Sequence, residues 1–280
     1  MIEIESLKKI KLIVFDLDGT LLNGSNEIGT ESQRLIRSLR EKGMRFTFAT
    51  GRLHSAVVDH AKSLGLETPL ITLDGSLIKS MSDEIIYESY IPKKYVKKAI
   101  KLADFHLLNI GLCHADAIYF NEHSPLVPDL LDKFGATYIE VDSFDDYLDK
   151  TLELVVASDY KDSVRLIEGR MTFPNAFGLN TSFYKSHRRG DTYFFEARKH
   201  GSNKGKGLAR LLKKLKINIE EVAVMGDWHN DRTLFETKAL KVAVDNAVIE
   251  IKGLADYITS KTNEEDGVAE FLEMVMKAKE

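Results

Sequence analysis

The chain has 280 residues, 44% of them hydrophobic and 29% charged, with a formal net charge of −4. That composition excludes disordered and fibrous architectures, and so mild an acidity gives no global pull toward nucleic acid or anionic membranes. One cysteine, Cys113, excludes an internal disulfide framework and suits a reducing compartment.

The opening MIEIESLKKIKLIVF carries an apolar run too short for a signal peptide. Nothing later approaches the roughly 18 apolar residues needed to span a bilayer. The expectation is a cytoplasmic protein without a membrane or nucleic-acid partner; the sequence leaves its oligomeric state open.

KLIVF, rich in β-formers, predicts a first strand broken by the glycine of DLDGT. TESQRLIRSLREKG then places Leu35, Ile36 and Leu39 at helical spacing, with Gly43 as the stop. RFTFATG reads as a second strand, SAVVDHAKSLG as a second helix and PLITLDG as a third strand. The alternation returns in the last third of the chain. There GKGLARLLKKLK, NDRTLFETKA, AVIEIKGLA and GVAEFLEMVMKAK read as helices, separated by the strands EVAVMGD, LKVAV and DYIT. Strands alternating with helices predict an α/β fold with a doubly wound, Rossmann-like parallel sheet covered on both faces.

Between these halves the rhythm changes. A helix over IPKKYVKKAIKLADF is followed by the strands ATYIEV, LELVVAS and TYFFEAR with short polar links. We read residues 91–196 as an α/β cap inserted into a discontinuous core of 1–90 and 197–280.

Asp16 and Asp18 stand where the first strand ends, and ligands of open parallel sheets collect outside the carboxyl ends of strands. Two carboxylates at this spacing can converge on one metal, while the turn offers backbone N–H groups to an anion. Alone, such a pair could equally be an Asx turn. Three other segments weigh against that. Thr50, Gly51 and Arg52 follow the second strand, offering a hydroxyl, an approachable backbone and a cation. Asp227, Asn230 and Asp231 follow EVAVM, although Asp231 could be only a helix N-cap. Lys204 opens a helix where a cation can face a phosphate. Carboxylates, a hydroxyl and a lysine on one sheet edge supply hard oxygen ligands for magnesium and donors for phosphate.

With these motifs in place the chain resembles the haloacid dehalogenase (HAD) superfamily, in its Cof-like phosphatase branch with a type IIB-like cap. DLDGT resembles the first motif of the family, Thr50 the second, Lys204 the third and GDWHND the fourth. IPKKYV resembles the start of the cap of that branch, and DNAVIEIKGLADYITSKTNEEDGVAEFLE its C-terminal signature. The resemblance implies a Mg²⁺-dependent phosphoric monoester hydrolase acting on a small phosphorylated metabolite. Sugar phosphates come first, and pyridoxal phosphate or flavin mononucleotide next. It also implies the roles. Asp16 attacks phosphorus to form an aspartyl-phosphate, and Asp18 protonates the leaving alkoxide and then activates water. Asp16, the Asp18 carbonyl and Asp227 hold Mg²⁺ with Asp231 nearby, while Thr50, Gly51, Arg52, Lys204 and Asn230 bind phosphate or substrate. The cap is expected to close over the core and contact the leaving group.

The chain departs from the family pattern at Asp74, where Asn-Gly is usual, at Val244-Asp245, and at bulky Trp228 and His229. Asp74 is expected to add negative charge near the substrate mouth, and His229 to be a surface histidine. Rival readings are weaker. GSNKGKG has three residues between Gly201 and Gly205 where a P-loop has four, and no Ser or Thr follows Lys206. A phosphomutase keeps the second aspartate, so it stays an alternative, while a non-catalytic relative is disfavoured by Asp16, Asp18, Lys204 and Asp227 together. Cys113, His114 and Asp116 are spaced too tightly for a zinc site and read as a strand end.

Overall fold

The computed structural model describes residues 2–121, 137–185 and 192–280. They fall into two compact units. One comprises Met1–Gly51, Val58–Ile86 and Asn203–Glu280, the other Arg52–Val57 and Tyr87–Ser202.

The first unit begins with a short helix α1 (Ile4–Lys9), absent from the sequence reading, and strand β1 (Leu12–Phe15). All four β1 residues are buried, as a strand covered on both faces requires. Helix α2 (Thr30–Glu41) buries Leu35, Ile36 and Leu39, and Gly43 at φ +85° follows its end in the left-handed conformation that halts a helix. Then come β2 (Arg45–Phe48), α3 (His54–Ser63), β3 (Leu70–Thr72), β4 (Leu77–Lys79) and β5 (Ile85–Glu88), the residues of α3 and β5 being divided between the two units. β3 turns back antiparallel into β4, a hairpin not predicted from sequence.

The second unit runs through α4 (Lys93–Phe105), β6 (Asn109–Cys113), β7 (Ile118–Phe120), β8 (Tyr138–Glu140), β9 (Glu153–Ser158), α5 (Lys161–Met171), β10 (Leu179–Lys185) and β11 (Tyr193–Lys199). Its six-stranded sheet has the order β10-β11-β9-β6-β7-β8. Every described pair is antiparallel except β7–β8. The core of this unit joins Tyr95, Val96 and Ala99 of α4 and Val164, Ile167 and Met171 of α5 to Leu154, Val156, Phe195 and Ala197 of the sheet. Alternation sends Glu153, Glu196 and Arg198 to the opposite face, where buried Arg198 bonds both carboxylates. Cys113 ends β6 as expected. His114 lies 2.9 Å from the Tyr147 carbonyl and Asp116 accepts from the Tyr119 hydroxyl, so this trio forms no ligand cluster.

The chain re-enters the first unit through α6 (Lys204–Leu215), β12 (Val222–Gly226), α7 (Arg232–Phe235), β13 (Leu240–Ala243), α8 (Ile249–Lys252), β14 (Tyr257–Ile258) and α9 (Gly267–Ala278). The main sheet has the order β14-β13-β12-β1-β2, all parallel. A bridge from Ala49 to Ile71 places β3 beside β2. The long helix expected over 230–239 is instead a 3-10 turn (His229–Asp231) and the short α7. Thr237 turns its hydroxyl back onto the Leu234 carbonyl and accepts the Ala239 N–H, offering the backbone an alternative to further helix. The helix expected over 247–255 shrinks to α8, which ends at Gly253.

The two ends of this unit are tied by one carboxylate. Asp266, at φ +59°, accepts the backbone N–H groups of Glu31 and Ser32 and the Ser32 hydroxyl, capping α2 from the far end of the chain. Gly29, the residue before α2, has its Cα against that carboxylate; an added Cβ would come within 2.1 Å of it. Asp266→Ala is therefore expected to lower stability by about 1–2 kcal/mol, read as a shifted urea midpoint at unchanged slope.

Candidate active site

β1 and β12 lie side by side with Phe15 opposite Met225, and the chain departs from them in opposite directions. From β1 it proceeds to β2 and β3 on one side, and from β12 to β13 and β14 on the other. This is the topological switch point of a doubly wound sheet, where the two crossovers leave a crevice beyond the strand ends. Asp16 and Asp227 are the next residues after these two strands, so the topology sets their carboxylates at the mouth of that crevice.

The turn after β1 keeps them close. Asp16 donates its backbone N–H to the Met225 carbonyl at 2.9 Å. Gly19 has φ +78°, and a Cβ there would lie 2.5 Å from Asp227 Oδ2, so only glycine lets this turn lie so near the carboxylate. Thr20, for which the sequence suggested no role, donates its buried hydroxyl to Asp227 Oδ1 at 2.7 Å. Asp18 is exposed at the same turn.

Lys204 reaches the pair from the first residue of α6. Asn203 caps that helix by accepting the Lys206 N–H at 2.8 Å. Gly205 packs against the Thr233 carbonyl, which a Cβ would approach to 2.2 Å. That glycine serves helix packing, which disposes of the P-loop reading of GSNKGKG. The completely buried Lys204 ammonium donates to Asp16 Oδ1 and Asp231 Oδ1, each at 2.6 Å. The other oxygen of Asp231 accepts the backbone N–H groups of Asp227 and Trp228, both at 3.0 Å. Asp231 thus fixes the turn after β12 and aims Lys204, and its side chain does not cap α7.

The electrostatics follow from burial of like charges. Burial disfavours the Lys204 ammonium, but Asp16, Asp231 and Asp74 outweigh it and hold its pKa above the ordinary range. Burial, then Asp231, raises Asp16 well above the usual carboxylate range, with Lys204 opposing. Burial and Asp231 likewise push Asp227 up to about 7. With all three carboxyls ionised, one ammonium would leave this cluster two negative charges in excess, which is why protons are held there when no cation balances them. Oxygens of Asp16, Asp227 and Asp231 lie within 4.8 Å of one another, the only such grouping among the described residues. Octahedral ligands about 2.1 Å from one ion stand roughly 3–4 Å apart, so a hard divalent cation fits both the charge and the spacing.

A second loop borders the cluster. Buried Thr50 gives its N–H to the Ile71 carbonyl and receives the Asp74 N–H, both at 3.0 Å. Leu73, Asp74 and Gly75 take φ of +48°, +47° and +83°, the only run of consecutive positive φ among the described residues. Gly75 is pressed against the Asn203 carbonyl at the head of α6, where a Cβ would come within 2.3 Å. Asp74 accepts from Asn230 Nδ2 at 3.2 Å, and its carboxylate lies beside Gly51, 3.5 Å from where a Cβ would stand. Asp16, Asp18, Thr50, Gly51, Lys204, Asp227, Asn230 and Asp231 therefore all belong to the first unit. Arg52, also buried, is grouped with the second. His229 is a surface histidine, paired with Glu250 at 2.7 Å, and Trp228 is 42% exposed.

The doubly wound α/β core thus carries buried carboxylates and a lysine at its switch point, the place where ligands of such sheets collect. The family model of haloacid dehalogenase-like hydrolases matches residues 13–272, and the chain belongs to that family. It is 27% identical to phosphatase YwpJ of Bacillus subtilis, across 95% of this chain and all of that one. It is 29% identical to the 5-amino-6-(5-phospho-D-ribitylamino)uracil phosphatase YcsE of B. subtilis, over 93% of each. A solved haloacid dehalogenase-like hydrolase from Bacteroides thetaiotaomicron superposes with a TM-score of 0.85 at 28% identity, covering 95% of this chain and 99% of that one. No helix among the described residues is long and apolar enough to cross a membrane.

Removing the lysine should expose how much the cluster relies on it. Lys204→Met is expected to cost about 3 kcal/mol in metal-free protein at pH 8, because it strands buried carboxylates. The loss should shrink at pH 5, where the raised carboxyls take up protons and their repulsion disappears; chemical denaturation at the two pH values reads the difference.

Proposed function

We propose that this enzyme hydrolyses small phosphomonoesters through an aspartyl-phosphate on Asp16, with Mg²⁺ as the metal. The observation that carries the reading is the pairing at the switch point: Asp16 bound to buried Lys204, with Asp227 alongside. In the first step an oxygen of Asp16 bonds to phosphorus as the bond to the ester oxygen breaks, and Asp18 gives that oxygen its proton. In the second step Asp18 takes a proton from water, whose oxygen attacks phosphorus and frees Asp16 with release of phosphate. Exposure suits Asp18 to exchange protons with leaving group and water, whereas the Lys204 ammonium favours the ionised Asp16 carboxylate that attacks. Thr50, Gly51, Lys204 and Asn230 bind the phosphoryl oxygens, and Arg52 is assigned to the same substrate. Asp16, the Asp18 carbonyl and Asp227 would hold the metal, with Asp231 keeping Lys204 and the Asp227 turn in place. Bound there, Mg²⁺ neutralises charge on the transferring phosphoryl group.

The discontinuous core of 1–90 and 197–280 with a cap of 91–196 belongs to the same proposal, as does a cytoplasmic location. For substrate we favour sugar phosphates. The compound in the name of YcsE is likewise a phosphate on a polyhydroxylated chain. Phosphorylated cofactors come next.

A phosphate-release screen over sugar phosphates, nucleotides and cofactor phosphates, run with Mg²⁺, tests the reading. Asp16→Asn should abolish turnover in a folded protein, and Asp18→Asn should slow both half-reactions so that phosphoenzyme accumulates. Near-normal turnover by Asp16→Asn would remove the nucleophile assignment. Isomerised substrate without net phosphate release would point to a mutase.

Metal affinity should depend on pH in a set direction. A carboxyl raised to about 7 keeps its proton below that pH, and the cation must displace it. Calorimetric Mg²⁺ affinity is expected to fall by at least about tenfold per unit as pH drops below 7, since Asp16 is raised in the same direction. The same raised carboxyl binds its proton more tightly folded than unfolded. Metal-free protein therefore loses stability as pH climbs from the ordinary carboxylate range to about 7, and Mg²⁺ should raise Tm more at pH 8 than at pH 5.5.

A further inference from the structure

The strained turn between β3 and β4 puts a carboxylate where the proposed reaction has no use for one. Two successive non-glycine residues, Leu73 and Asp74, hold left-handed φ angles. Such strain persists only where the surrounding structure imposes it. Here Thr50 takes the Asp74 N–H, Gly75 abuts the head of α6, and Asn230 holds the Asp74 carboxylate beside Gly51. Gly51 and Asn230 are two of the positions assigned above to phosphoryl binding. Asp74 also acts on Lys204, adding its charge to those of Asp16 and Asp231.

We infer that Asp74 is a specificity-determining residue, selecting phosphomonoesters with a neutral, hydroxyl-bearing leaving group against those with a second anionic group. The inference rests on the phosphatase reading. Every monoester brings the same phosphoryl dianion, so repulsion between that group and Asp74 cancels when substrates are compared. What does not cancel is charge elsewhere in the substrate. At an effective dielectric of about 20, like charges about 10 Å apart repel enough for roughly a tenfold loss of affinity. Leaving-group hydroxyls meet no such repulsion and can donate to the carboxylate.

Glucitol 6-phosphate and 6-phosphogluconate form the matched pair, since they differ only in a terminal CH₂OH against a carboxylate. Asp74→Asn removes the charge, can still accept from Asn230, and suits a left-handed φ. Asp74→Gly removes the side chain and suits that φ without strain. For both variants kcat/KM for 6-phosphogluconate relative to glucitol 6-phosphate should rise about tenfold over wild type, carried mainly by KM. The gain should shrink between about 20 mM and about 500 mM salt. An unchanged ratio, or equal losses on both esters, would show that Asp74 only braces the turn and would overturn the proposal while leaving the phosphatase reading intact. If wild type released phosphate from neither ester nor from the broader screen, the phosphatase reading would fail and this inference with it.

Discussion

The buried ammonium of Lys204 is the interaction around which the first unit is arranged. A lysine out of contact with water is stable only if carboxylates surround it, and two of them sit at 2.6 Å. Each must then be delivered from a different part of the chain. Asp16 comes from the end of β1 and Asp231 from the turn after β12, while Lys204 comes from the head of α6. The close approach of these segments explains why the flanking residue is glycine at positions 19 and 205. The same arrangement that makes the lysine affordable leaves an excess of negative charge, and it is that excess which suits the site to a divalent cation.

The core was legible because its information is local. KLIVF, RFTFAT and EVAVM read as strands from composition alone, and the residues after them fall at carboxyl ends by construction. Asp16, Thr50 and Asp227 could therefore be placed on one edge without knowing any contact. The sequence could not disclose partnerships between distant residues. Thr20 holds Asp227, and Asp266 caps α2, yet neither bond leaves a periodicity or spacing to find. The turn at Leu73–Gly75 was hidden for another reason: leucine and aspartate are poor predictors of left-handed backbone, so PLITLDG looked like a strand that simply stopped. Helices near the C-terminal end were overdrawn because apolar spacing says nothing of a threonine that hydrogen-bonds back and cuts the helix short.

The second unit was harder to read. Its strands are joined by polar links without strong turn signals; β7 and β10 went unassigned, and β6 was read only as a strand end at Cys113. Its buried charges were equally hidden. Arg198 and Glu196 stand two apart in TYFFEAR, and both are buried with Glu153 of β9, a partnership that the strand assignment alone does not disclose. Slipping either strand by one residue would leave one of these buried charges unpaired, which disfavours other registers.

The pairing of β1 with β12 also orders events during synthesis. Leu12 leaves the ribosome before the second unit and its partner Val222 only after it, so β1, an interior strand of the main sheet, waits with one edge unpaired. The second unit draws on the intervening chain and can fold in that interval, as domains do while translation continues. Lys204 follows that unit directly, and Asp227 and Asp231 come only after Val222. The acidic cluster is therefore assembled among the last features of the molecule, and a nascent chain carries no cation site until its sheet is nearly complete.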